Sequence, residues 1–309
     1  MPFYRAYGLT IRSDIELPAL PQVEGEAYDI DFRAGPVTPG DGGETKFRNW
    51  EASEGRFLAH FYDVCRVLVT GGDNVVYDRL PGNDDSQIVS VLLGTCLAAI
   101  LMQRRILPIH SCCVLTDRGA VLVMGPSGAG KSTTLGGLLE LGLPMLADDV
   151  TGLTIDANGR PIAVPAFPAI RLWQDSLERL GHVSTGLPRV RSDMEKFYLP
   201  ASSFHDRPEP IRGIVRLAPT NGEQLKIDPI APADQVETLS RFIFRKNFID
   251  GMNLRRFAFG HVASTVNAVT MLKAARPATG IEPRELARRV LAAMDELEAS
   301  RHRQAMSPA

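Results

Sequence analysis

The chain has 309 residues, 44% of them hydrophobic and 23% charged, with a formal net charge of −2. That length suits one large domain or a core domain with a smaller companion, and that charge gives no electrostatic basis for broad nucleic-acid or anionic-membrane binding. Cys65, Cys96, Cys112 and Cys113 lack the paired spacing of a zinc site, and MPFYRAYGLTIRSD lacks a signal-peptide core, so free thiols in a cytoplasmic protein are expected.

Residues 1–85 alternate short β-like runs (YRAYGLTI, YDIDFRA, RFLAHFY, CRVLVTGG) with turn-rich stretches (PALPQ, GPVTPGDGG, LPGNDD). They read as a β-rich N-terminal module, either scaffold or substrate-recognition surface. Asp84, Asp85 or Ser86 can cap the helix that follows, which runs to Met102. Its uncharged run is shorter than a usual membrane span and is interrupted by Gln87, Ser90 and Thr95, so a buried helix is expected. HSCCVLT (110–116) and AVLVM (120–124) flank the turn Asp117-Arg118-Gly119 as strands of a hairpin. A helix is predicted from Lys131 to Leu141, stopped at Gly142. Beyond PMLADD, strands are predicted at 162–164, 211–217 and 268–273, and helices near 174–180, 233–249 and 284–299. In the last helix Leu286, Val290, Met294 and Leu297 share one face. Residues 86–309 thus form one α/β domain with a mixed sheet.

MGPSGAGKST carries the chemistry. Gly125, Gly130, Lys131 and Ser132 fit G-x-x-x-x-G-K-[ST], with Pro126, Ser127, Gly128 and Ala129 between and Thr133 following. Glycines let backbone N–H groups turn inward around phosphate oxygens, and the helix start adds its dipole. Lys131 supplies charge to the β- and γ-phosphates and Ser132 a hydroxyl to Mg²⁺. The motif lies between a predicted strand and a predicted helix, the context it requires. Nucleotide binding is the reading.

Asp148 and Asp149 end the next apolar run. One acid there can hold Mg²⁺ and a second can accept the proton of an attacking hydroxyl. A turn or cap pair is the plainer alternative, but adjacent carboxylates repel and a cation would relieve them. His110 begins the strand before the phosphate-loop strand and reaches the same sheet end only if pairing brings it there.

HSCCVLTDRGAVLVMGPSGAGKST…LPMLADDVTGL resembles the catalytic domain of the bacterial HPr serine kinase/phosphorylase family. YRAYGLTIRSDIELPAL, PAFPAIRLWQDS and LPRVRSDMEKFYLP are more similar to HPr-kinase-like proteins that include the lasso-peptide tailoring kinases. The resemblance implies a P-loop kinase core with a smaller β-rich N-terminal domain. It implies ATP and Mg²⁺ at Lys131 and Ser132, Asp148 as the carboxylate that activates a serine hydroxyl, and Asp149 and His110 supporting the site or metal. Arg171 and Lys196 fall in shared segments and are candidates for phosphate or substrate contacts. The Glu-Ile-Arg-Gly type signature associated with phosphorolysis has no counterpart here, which counts against that activity and against HPr as acceptor. The implied function is an ATP-dependent kinase acting on a serine-containing peptide, such as a lasso-peptide precursor. HPr or another protein, free serine or a sugar, and a non-catalytic nucleotide-binding regulator are the alternatives. Guanine-specific and transporter signatures are absent from the sequence. The relatives include hexamers, so a homo-oligomer is an open expectation.

Overall fold

The computed structural model describes residues 1–38, 40, 45–46, 49–277 and 280–306. Its first part is a sheet of β1 (Phe3–Ala6), β2 (Leu9–Ser13), β3 (Gln22–Val23), β4 (Ile30–Ala34), β5 (Thr45–Lys46), β6 (Trp50–Ser53), β7 (Arg56–Phe61), β8 (Cys65–Thr70) and β9 (Asn74–Arg79), in the spatial order β3-β1-β2-β4-β9-β8-β7-β6-β5. The run YRAYGLTI is not one strand but a hairpin, with Tyr4 opposite Ile11 and Ala6 opposite Leu9. The chain reverses at Tyr7 and Gly8, whose φ angles are 54° and 72°. Two successive left-handed residues give the turn whose twist matches paired strands. On β8, Cys65, Val67 and Val69 alternate inward, the period-2 pattern of a half-buried strand.

Asp84 caps the next helix by accepting the Gln87 N–H. The helix comprises α1 (Asp85–Val91), a π-helical segment Leu92–Cys96 and α2 (Leu97–Gln103). By length and composition Asp85–Gln103 is apolar enough to cross a membrane, yet 67% of its apolar window is buried inside the protein. Ile88, Leu92, Leu97 and Leu101 lie in one continuous core with Phe57 and Val67 of the first sheet and Leu122 and Met124 of the second.

The second sheet contains β10 (Leu107–Ile109), β11 (Ser111–Thr116), β12 (Gly119–Met124), β13 (Met145–Ala147), β14 (Thr151–Ile155), β15 (Pro161–Val164), β18 (Glu209–Thr220), β19 (Lys226–Pro229) and β20 (Thr270–Pro277), while β16 (Ala169–Trp173) and β17 (Lys196–Pro200) pair as a separate hairpin. The predicted hairpin is present, with Ser111 opposite Met124 and Thr116 opposite Gly119. It makes the sheet mixed: β12, β18 and β20 run parallel, and antiparallel β11 stands between β12 and β13. Parallel neighbours deliver β12, β18 and β20 to the same sheet edge at their C-terminal ends, where ligands of open α/β sheets bind.

α3 (Lys131–Glu140) and, further along, α8 (Pro283–Met306) cover one face, where Leu135 and Leu138 meet Val121, Val215, Val290 and Met294. Leu286, Val290 and Met294 are buried along α8 as the predicted stripe required, and Leu297 is partly buried beside them. α4 (Gln174–Arg179) follows β16. The single helix expected at 233–249 is two, α5 (Pro232–Arg241) and α6 (Phe248–Gly251), because Arg245 between them takes a left-handed φ of 54°. α7 (Arg255–Ala268) then occupies a stretch given no helix in the sequence reading, and the strand expected from 268 starts at Thr270.

Candidate active site

β12 ends at Met124 and the chain turns through Gly125–Gly130 into α3. A Cβ on Gly125 would sit 2.9 Å from the Leu217 carbonyl of the neighbouring strand, so only glycine lets the loop leave the sheet there. Gly128 and Gly130 have φ of 76° and 89°, which glycine adopts without steric cost. Ala129 is buried beneath the loop while Ser127 is exposed. The Lys131 ammonium folds back over the turn, donating to the carbonyls of Gly125 at 2.9 Å and Pro126 at 3.3 Å. Burial lowers its pKa. Thr133 lies half-buried in the first turn of α3.

Asp148 and Asp149 follow β13 rather than ending it, since pairing stops at Ala147. Asp149 has φ 69°, and the Val150 N–H closes back on the Asp148 carbonyl at 2.8 Å, a tight γ-turn. The reversal sends the two side chains to different partners. Asp148 Oδ2 accepts the Arg171 backbone N–H at 2.7 Å, and its Oδ1 lies 3.4 Å from the Ser132 hydroxyl that donates to it. Asp149 Oδ2 accepts from Arg171 Nη1 at 2.8 Å, while its Oδ1 is 3.6 Å from His110 Nδ1. That same His110 nitrogen stands 2.9 Å from the Asp149 carbonyl. Arg171 therefore holds both acids, one through its backbone and one through its guanidinium.

The environments separate the two carboxyls. Burial, reinforced by the Asp149 charge, pushes Asp148 up to about 6. Burial also works to raise Asp149, but Arg171, His110, Lys196 and Lys131 overcome it and hold Asp149 below the usual carboxylate range. Burial and the Lys131 charge lower His110, which favours neutral imidazole. Lys131, Ser132, His110, Asp148, Asp149 and Arg171 converge on one edge of the sheet. Lys196 acts on the same charges from β17, with its ammonium 5.6 Å from the Trp173 ring centroid.

Three residues absent from the sequence reading belong to this region. Tyr7, from the turn of the first hairpin, donates its hydroxyl to the Val150 carbonyl at 3.1 Å, next to the acidic pair. Tyr198 stands opposite Arg171 in the β16–β17 hairpin, with its ring 5.7 Å from the guanidinium. Arg276, near the end of β20, donates from Nε to the Ala129 carbonyl at 2.8 Å. Its place at the C-terminal end of a parallel strand was the one available signal. Tyr7 and Tyr198 reach the site through pairings that local pattern does not encode.

The donor set suits a nucleotide with Mg²⁺. A hydroxyl and two carboxylates offer hard oxygen ligands, and Mg²⁺ characteristically uses one or two carboxylates together with phosphate oxygens and water. Among the described residues no group of three or more His, Cys, Asp or Glu side chains could hold a metal unaided, so part of the shell would come from phosphate.

No family model and no curated protein matches this chain. Among solved structures, the Hpr(Ser) kinase/phosphatase from Coxiella burnetii is similar at a TM-score of 0.31 and 12% identity, covering 64% of this chain and 98% of that one. The likeness is distant and partial.

Proposed function

We infer that the chain is an ATP-dependent phosphotransferase that transfers the γ-phosphate to a serine hydroxyl of a peptide or protein. The observation that carries this reading is the pair of aspartates beside a glycine-built phosphate loop, one raised in pKa by burial and the other held down by Arg171 and its neighbouring cations. In this reading residues 86–309 are catalytic and residues 1–85 support them.

Asp148, whose pKa lies near the working pH, accepts or orients the hydroxyl proton as the acceptor oxygen attacks. Ser132 and Asp149 would hold Mg²⁺, and Arg171 keeps Asp149 ionised while it fixes Asp148 through its backbone. Lys131 exchanges its two loop carbonyls for phosphate oxygens, and the loop N–H groups from Gly125 to Ser132 bind the rest. Bound Mg²⁺ supplies charge neutralisation for the transferring phosphoryl group. His110 positions Asp149. A cavity of about 200 Å³ between Pro18, Asp85, Val89, Arg189 and Tyr198 lies where the first part of the chain meets the second. Its wall residue Tyr198 pairs with Arg171, which supports this cavity as the approach for an acceptor segment.

Transfer of γ-labelled phosphate with Mg²⁺ tests the reading, with a serine-ended peptide such as a lasso precursor, HPr and free serine offered side by side. Label on the peptide or on HPr, abolished in Asp148→Asn with ATP binding retained, is the expected result. Label on free serine would keep the chemistry and change the acceptor class. ATP binding with transfer intact in Asp148→Asn would remove Asp148 from its role.

A further inference from the structure

Arg276 has no part in the assignments above, yet it is fastened to the phosphate loop. β20 lies two strands from β12, with β18 between them, and Arg276 is opposite Pro219 near the shared C-terminal edge. Its Nε donates to Ala129 O at 2.8 Å and its Nη1 to Pro277 O at 3.2 Å. Its Nη2 fills the space on the far side of Gly130, where a Cβ would come within 2.6 Å of it. Among the described residues no carboxylate forms an ion pair with it, and burial alone lowers its pKa.

The Ala129–Gly130 peptide is planar and trans, so its carbonyl and its N–H point in opposite directions. A carbonyl drawn toward Arg276 turns the Gly130 N–H away from β20. That N–H immediately precedes Lys131 and the first turn of α3, where the helix offers its unpaired donors. The same contact requires glycine at 130 for two reasons: the left-handed φ of 89° and the guanidinium in the place of a side chain.

We propose that Arg276 is a positioning residue of the phosphate loop, a clamp that aims the Gly130 N–H at a nucleotide polyphosphate and contributes an uncompensated positive charge to it. The proposal rests on the nucleotide reading of the loop. A polyphosphate supplies the negative charge that the surroundings of Arg276 lack, so the clamp favours di- and triphosphates over nucleosides. A hydrogen bond to a charged group contributes about 1.5–3 kcal/mol, which corresponds to roughly tenfold to hundredfold in affinity.

Calorimetric titration of the full chain with ATP and ADP in Mg²⁺ reads the clamp without any turnover. R276A is expected to keep its far-ultraviolet dichroism and to lose roughly tenfold or more in affinity for both nucleotides, with adenosine unaffected. Added guanidinium ion is expected to recover part of that loss, which a generally damaged fold would not allow. Should R276A fail to fold, R276K keeps the charge but only one donor group, and an intermediate loss is expected. Wild-type affinity in whichever variant is folded would overturn the proposal. Wild-type protein that binds neither nucleotide would instead overturn the phosphate-loop reading itself, so the two failures are distinguishable.

Discussion

At the scale of single residues, the contrast between Asp148 and Asp149 is the informative feature. Adjacent carboxyls of one chemical type end up as one acid raised to about 6 and a partner held below the usual carboxylate range, the kind of separation that suits a proton acceptor beside a charged partner. The raised value has a stability consequence with a definite sign. A carboxyl whose folded pKa is about 6 and whose unfolded value is about 4 binds its proton more tightly in the folded chain. On its account stability falls as pH rises from about 4 to about 6. Asp148→Asn removes that penalty while keeping an oxygen for the Arg171 N–H. The variant is expected to melt higher than wild type at pH 7.5, by on the order of 2 kcal/mol, with the gap closing by pH 4. Thermal melts across that range check it, and equal melting at pH 7.5 would contradict the raised acidity. The acid limb of kcat/KM for phosphoryl transfer should fall near pH 6 for the same reason. Chemical type and adjacency were visible in the sequence. The direction of each shift was not, because Asp148 is raised by burial and by the Asp149 charge, while Asp149 is lowered by Arg171, His110, Lys196 and Lys131, and both depend on contacts distant in sequence.

At the scale of elements, the site depends on α3 being seated tightly, and glycine decides this at a place the phosphate motif does not include. A Cβ on Gly137 would come within 2.3 Å of the Pro283 backbone at the start of α8. Backbone cannot swing aside as a side chain can, so α3 and α8 would have to part. Overpacking of a close-packed contact costs about 1–3 kcal/mol. Gly137→Ala is therefore expected to lower the melting temperature measurably despite its gain in helix propensity. A melt at or above wild type would show that the crossing yields. Several elements nearest the chemistry were legible from local pattern: the 110–124 hairpin, the helix after Lys131 and the stripe on α8 all follow from period and punctuation. Other stretches were not read, at the site and away from it: β14, β16 and β17 were given no strands although β16 and β17 carry Arg171 and Lys196, and α7 was given no helix. α7 carries an exposed Phe259 and scattered polar residues, so its period was weak. The break between α5 and α6 falls at Arg245, a residue type with no turn signature.

At the scale of the whole molecule, the first sheet and the second are joined by shared apolar contacts and by polar ties close to the acidic pair. Ile88, Leu92, Leu97 and Leu101 of the central helix sit in one cluster with Phe57 and Val67 on one side and Leu122 and Met124 on the other. Tyr7 adds a tie from the first hairpin to the turn that carries the acids. Sequence reading could mark residues 1–85 as compositionally distinct, but which face of which helix they cover is a long-range pairing that no local period encodes. Burial of one large aliphatic side chain contributes about 1.5–3 kcal/mol, and several lose their cover together if the first sheet is removed. A chain of residues 86–309 alone is thus expected to lose cooperative melting and to bind ATP poorly even though every phosphate-loop and acidic residue is retained. Calorimetry and gel filtration of that fragment decide the matter. A monodisperse, cooperatively melting fragment with wild-type ATP affinity would show that the first sheet does not support the loop, and would leave acceptor recognition as its remaining task.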